Sequence, residues 1–301
     1  MVFDVTRPGE AKVPMKCLVE DMLVCSETPG GARTPGTENL FLVRLETTKA
    51  TEVERGHFHT MVAKLLYLAK RARPDCLTAV AFLATRVSRC DGNDLDKLTR
   101  LIKYVRATRG HGIRLRIGEE GIVVKVLVDV AYGVHADGKS HTRSCIVIGE
   151  MGAVHCKSYK QQIVTKSSTE AELVALSDST NQGIHVRNFL IAQGYKMEPL
   201  IIYQDNLSCM ALVERGRSAA ERTRHINIRY YWVKERVSTG EHGNSSDVCE
   251  PAYKAGAGRT VLSRETGTDG MESGRGVRLS ENGVQYIFSI YNISARDPRR
   301  V

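Results

Sequence analysis

Three acidic residues in this chain stand where an acid needs a reason. Asp129 lies inside the apolar run "VVKVLVDVAYG", between Val128 and Val130. Strand side chains alternate, so it shares a face with Leu127 and Ala131. A buried carboxylate without a partner is expensive, which leaves an edge position, a salt bridge or a metal site for Asp129. Asp205 ends the strand-like "LIIYQD", and Asn206 opens the next helical pattern. Both residue types cap helices well; if Asn206 does the capping, Asp205 is left for another role. The third acid comes from "TKSSTEAELVALSDS", residues 165 to 179, where Glu170 and Glu172 flank one alanine. A helix turns about 100° per residue. The stripe beneath Glu170 is Val174, Ser177, Asn181, His185 and Asn188, which is largely polar; that beneath Glu172 is Leu176, Ser179, Gly183, Val186 and Leu190, which is more apolar. Ser167 with Glu170 and Thr169 with Glu172 both fit a capping box, so the stripes, not the caps, separate the two. Glu170 is expected toward water and Glu172 toward the sheet that carries Asp129.

If Asp129, Glu172 and Asp205 converge, they repel one another, and a hard divalent cation with oxygen ligands relieves that repulsion. Two such ions roughly 3.5–4 Å apart clamp an in-line phosphoryl displacement. The chain carries a formal net charge of +9, which suits a polyanionic partner. Nucleic acid hydrolysis is the chemistry that this combination suggests.

The elements that must position these acids follow from periodicity. From residue 122 the pattern is β-branched and short. "VVKVLVDVAYG", "RSCIVIG" and "AVHCKSY" predict three strands, the last two joined at Gly149 to Gly152. A long helix is expected at about 169 to 193, then the strand "PLIIYQD", a helix closed by Gly216, and a helical segment near 222 to 239. The order β-β-β-α-β-α-α predicts an α/β (α+β) domain with a mixed sheet over 122–241. Upstream, helical spacing predicts a small helical region over 46–121, with helices near 52 to 72, 75 to 88 and 94 to 109. The third has Asp91 or Asn93 as cap candidates. Its Lys97, Arg100, Lys103, Arg106 and Arg109 lie off the apolar stripe, as a solvated face or one that tracks phosphates. Residues 1–45 read as loose and 242–301 as a disordered tail. No run of eighteen apolar residues predicts a membrane span, and the first residues lack the apolar core of a secretory signal. The eight cysteines include no CxxC pair and no zinc-like cluster, which suggests reduced thiols in an intracellular protein.

The motifs "TKSSTEAELVALSD", "IIYQDNLSCMAL" and "ERTRHINIRYYWVKERV" carry a resemblance. "VDVAYGVHADGKSHTRS" and "FHTMVAKLLYLAKRARPDCLTAVAFLATRV" support it. Over residues 12 to 241 the sequence resembles the C-terminal part of the polyprotein of copia-type LTR retrotransposons: the end of the reverse transcriptase and a type 1 ribonuclease H domain. The resemblance implies an RNase H-like fold, with Asp129, Glu172 and Asp205 as catalytic ligands of two magnesium (or manganese) ions. It implies an RNA–DNA hybrid as substrate and the remainder of the polyprotein as partner. Residues 46–121 then correspond to a thumb and connection region that grips the duplex. The paired aspartates of the polymerase palm are absent, so no polymerase activity is expected. Type 1 ribonucleases H usually add a fourth carboxylate near the domain's end; here the match stops near Glu241, and Asp247 is the nearest acid. Asn227 stands where some relatives carry an aspartate, and His225 either orients a group near the site or serves as a core or capping residue. The alternative is a catalytically inactive nucleic-acid-binding or decayed remnant lacking the last strand and the fourth carboxylate.

Overall fold

The computed structural model describes residues 3–26, 28–44, 47–118, 121–215, 229, 231–233, 235 and 250–252. Strand β1 (Glu10–Val13) and helix α1 (Lys16–Ser26) occupy the stretch expected to be loose. Their partners are distant in sequence. β1 pairs antiparallel with β2 (Ile113–Arg116), Glu10 opposite Arg116, and α1 buries only Val19 and Met22. A local pattern could not announce either element.

The three expected helices follow. Helix α2 (Glu52–Arg71) opens on a capping box: Thr51 Oγ1 accepts from the Glu54 N–H at 3.3 Å, and Glu54 Oε2 accepts from the Thr51 N–H at 2.8 Å. A short 3-10 turn, Pro74–Cys76, leads into α3 (Leu77–Ala84), which ends earlier than the spacing suggested. Helix α4 (Gly92–Ala107) is capped by Asp91, whose box partner is Asp94. The buried Arg86 guanidinium ties both acids, donating to Asp94 at 2.8 Å and Asp91 at 3.2 Å. Phe58, Leu65, Leu68, Val80, Leu83, Leu101 and Val105 form the apolar heart of this helical lobe.

Strands β3 (Val124–Ala131), β4 (His141–Ile148) and β5 (Ala153–Lys160) make the antiparallel meander, and α5 (Ser168–Ala192) crosses to β6 (Ile201–Tyr203), parallel to β3. Helix α6 (Leu207–Arg215) follows, and β7 (Glu250–Ala252) pairs parallel with β6. The sheet order β5-β4-β3-β6-β7 is the mixed sheet that the element order predicts. The tail, expected to be disordered and without the domain's last strand, thus supplies three residues to the sheet edge. Most of the segment near 222–239 lies outside the described residues; within it Tyr231, Trp232 and Val233 are helical, and Val233 is buried in the sheet core.

Helix α5 packs Leu173, Ala175 and Leu176 on Val124, Val126, Val128 and Ile146. Gly183 permits the close approach: a Cβ there would stand 2.5 Å from Val126 Cγ2. Helical lobe and sheet meet where β5 lies on α3. Ser158 Oγ donates to Thr78 Oγ1 at 3.2 Å, and Phe41 stacks edge-on to Phe82 and His135. Among the described residues, no helix is long and apolar enough to cross a membrane.

Candidate metal centre

Parallel pairing of β3 and β6 sets Leu127 beside Tyr203. Two residues further along the same direction come Asp129 and Asp205. Register alone therefore brings these acids to one end of neighbouring strands. Helix α5 supplies the third. Ser167 caps it, its Oγ accepting from the Glu170 N–H at 3.2 Å, so Glu172 falls one turn inside. One carboxylate oxygen from each of Asp129, Glu172 and Asp205 lies within 4.8 Å of the other two.

Glu172 is 6% exposed, Asp129 is half-buried and Asp205 is exposed. The group therefore opens to solvent at Asp205. Burial pushes the Glu172 carboxyl up to about 9, and the charges of Asp129 and Asp205 push the same way; a hydrogen bond from Gln204 and the charge of Arg143 oppose them. The donor set is oxygen only, drawn from three elements, with one acid held deep and protonated. That is a hard cation's donor set, and a divalent ion held there would offset the like charges of Asp129 and Asp205 that add to the effect of burial on Glu172.

The two glutamates separate as the stripes indicated. Glu170 is half-exposed and its Oε2 accepts from the Lys166 N–H at 2.7 Å, one residue before the Ser167 N–H that a capping box requires. Thr169, the other cap candidate, lies within the helix. At Asp205, Asn206 does the capping: its Oδ1 accepts from the Cys209 N–H at 2.9 Å.

Two residues of the site went unread in the sequence. Arg143 on β4 stands opposite Asp129, and its guanidinium makes a short ion pair with the Asp129 carboxylate. The signal was available, since a salt bridge was one of the places open to Asp129, but the hairpin register that names the partner was not. Gln204, 5% exposed, donates to Glu172 Oε2 at 3.1 Å. Its own Oε1 accepts from the N–H groups of Asp205 at 2.8 Å and Asn206 at 3.2 Å. A polar residue inside "LIIYQD" was the clue.

His225, Asn227 and Asp247 lie outside the described residues. The five basic residues expected on the third helix do not share one environment; α4 ends at Ala107, two residues before Arg109. Lys97 Nζ donates to the Leu42 carbonyl at 2.6 Å and sits 4.7 Å from the Phe82 ring centre. Arg100 donates to Thr34 Oγ1 at 2.9 Å and Arg106 to the Leu23 carbonyl at 3.5 Å. Lys103 is half-buried and Arg109 exposed. Three of the five thus bind the N-terminal segment.

No family model matches the chain. Over 180 residues it is 26% identical to the retrovirus-related Pol polyprotein from transposon TNT 1-94 of Nicotiana tabacum, covering 60% of this chain and 13% of that protein. The polyprotein from transposon RE1 of Arabidopsis thaliana is 28% identical over 184 residues, 61% of this chain and 12% of its own length. Secreted RxLR effector protein 161 of Plasmopara viticola is 30% identical over 124 residues, 41% of this chain and 86% of that protein. Solved structures are similar as well. A foamy viral protease-reverse transcriptase in complex with RNA/DNA hybrid has 10% identity, 90% of this chain and 32% of that one covered, and a TM-score of 0.44. RNase H1 from Halobacterium salinarum NRC-1 has 14% identity, 37% and 76% covered, and a TM-score of 0.28. The chain spans only about an eighth of the length of the curated polyproteins it matches.

Proposed function

From the premise that this chain belongs to the retrovirus-related Pol polyprotein family of transposons, we propose that it is a fragment of a reverse transcriptase–ribonuclease H. Its acidic centre hydrolyses the RNA strand of RNA–DNA hybrids with magnesium, or manganese. The observation that carries this reading is the convergence of Asp129, Glu172 and Asp205 from β3, α5 and the end of β6. When bound, a pair of such ions supplies an activated water and stabilises the leaving oxygen of an in-line displacement.

The chain's own residues divide the remaining work. Glu172 is the anchored ligand, gripped by Gln204. Gln204 also holds the backbone of Asp205 and Asn206, so it fixes the turn that presents Asp205 relative to Glu172. Asp205 is the acid on the solvent side, where a scissile phosphate approaches. Hydrogen bonds to the 2′-OH distinguish the RNA strand. Lys103 on α4 and Arg109 just beyond its end, less engaged within the chain than Lys97, Arg100 and Arg106, are left to meet the duplex backbone.

The test is cleavage of a hybrid with labelled RNA in magnesium by the full chain and by Asp205→Asn. The substitution is expected to lower the rate by at least about tenfold; equal rates would refute the assignment. One observation favours a second reading, binding without cleavage: Arg143 already neutralises one ligand carboxylate, Asp129. In the same assay, hybrid binding that weakens with salt and is not followed by cleavage is its signature.

A further inference from the structure

Away from the acidic centre's chemistry, β4 and β5 carry two cysteines directly across from one another, Cys145 opposite Cys156. Their Sγ atoms approach to 2.8 Å as two thiols. Directly opposed residues of an antiparallel pair have Cβ atoms about 4.5–5.5 Å apart, so a small closure brings them to the roughly 3.5–4.5 Å that a disulfide spans. Cys145 is 3% exposed and packs with Leu127 and Val147; Cys156 is half-buried, at the edge of that cluster where the helical lobe also reaches it. Of the two, Cys156 is therefore the more exposed residue. Among the described cysteines the remaining five are Cys76, Cys90 and Cys209, which are buried, and Cys17 and Cys25, which are exposed on α1.

We infer that Cys145 and Cys156 form a thiol modification site, which closes to a cross-strand disulfide by exchange with a low-molecular-weight disulfide. The Cys156 thiolate attacks one sulfur of the small disulfide, forming a mixed disulfide and releasing one small thiolate. The Cys145 sulfur, after losing its proton, then attacks the Cys156 sulfur and expels the second small thiol. Two protein thiols are oxidised, one small disulfide is reduced to two thiols, and no other reactant is needed. The inference does not depend on what the acidic centre does.

The test uses the full folded chain with oxidised glutathione, followed by an acid quench, alkylation, and cleavage with trypsin and a Glu-specific protease. No lysine or arginine separates the two cysteines, whereas Glu150 does. The expected result is two fragments held together through Cys145 and Cys156, lighter by two hydrogen atoms than their separate thiol forms. Cys145→Ser is expected to stop at a glutathione adduct on Cys156, which keeps the test alive without the bridge. Alkylation of both cysteines after oxidation, or a Cys145→Ser protein without an adduct at Cys156, would overturn the proposal.

Discussion

Asp129 is asked to meet two cations: the guanidinium of Arg143, already paired with it, and the divalent ion that the acidic group suits. The guanidinium competes with the ion for the same carboxylate, so the pair withdraws affinity from it. Replacing it, as in Arg143→Ser, is expected to raise manganese affinity by roughly tenfold, the equivalent of one pKa unit of charge interaction. Calorimetric titration reads this directly, and unchanged affinity would show that the pair yields to the ion without penalty. At this scale the sequence was informative about type and poor about partnership. Asp129, Glu172 and Asp205 were legible because each is an acid in an apolar or terminal setting. Arg143 and Gln204 were not, because naming them requires knowing which residues face each other across a hairpin and between a helix and a strand.

Two elements carry consequences of their own. Helix α5 lies so close to β3 at Gly183 that Gly183→Val must displace the helix or Val126. Overpacking of this kind is expected to lower stability by ~1–3 kcal/mol, measured by urea unfolding, and to loosen the seat of Glu172 with it. The seam between the lobes holds a buried chain: His135 Nε2 to His141 Nδ1 at 3.0 Å, and His141 Nε2 to Ser158 Oγ at 2.7 Å. Burial lowers His135 to about 4, with Lys160 adding to the effect, and lowers His141 to about 3, with His135 and Arg143 adding to it. Both are neutral when folded, whereas the unfolded chain takes up protons below its ordinary value of 6.5. Their contribution is thus complete above that value and is lost as pH falls from 6.5 toward 4, by up to ~1.4 kcal/mol per pH unit for each histidine. Thermal melts of the full chain between these limits should show the fall, and His141→Gln should flatten it. The long periodic elements were legible, since α2, α4, α5 and the meander all show their period locally. β1, α1 and β7 were not, because each is made by a partner far along the chain: β1 by β2 and β7 by β6.

At the scale of the whole molecule, a helical lobe and a mixed sheet share one seam, and the acids open on the sheet side. The net charge of +9 is consistent with a polyanion as partner, although much of the basic face of α4 serves the chain itself. Everything proposed about hydrolysis passes through one claim: that Asp129, Glu172 and Asp205 together hold a divalent cation. Glu172 is the acid that no surface role explains, being buried among two like charges. Titration of manganese into the full chain and into Glu172→Gln, by calorimetry at one pH, isolates that claim. The account predicts saturable binding to the native chain and an affinity at least about tenfold weaker in the variant. Identical isotherms for the two proteins would contradict it.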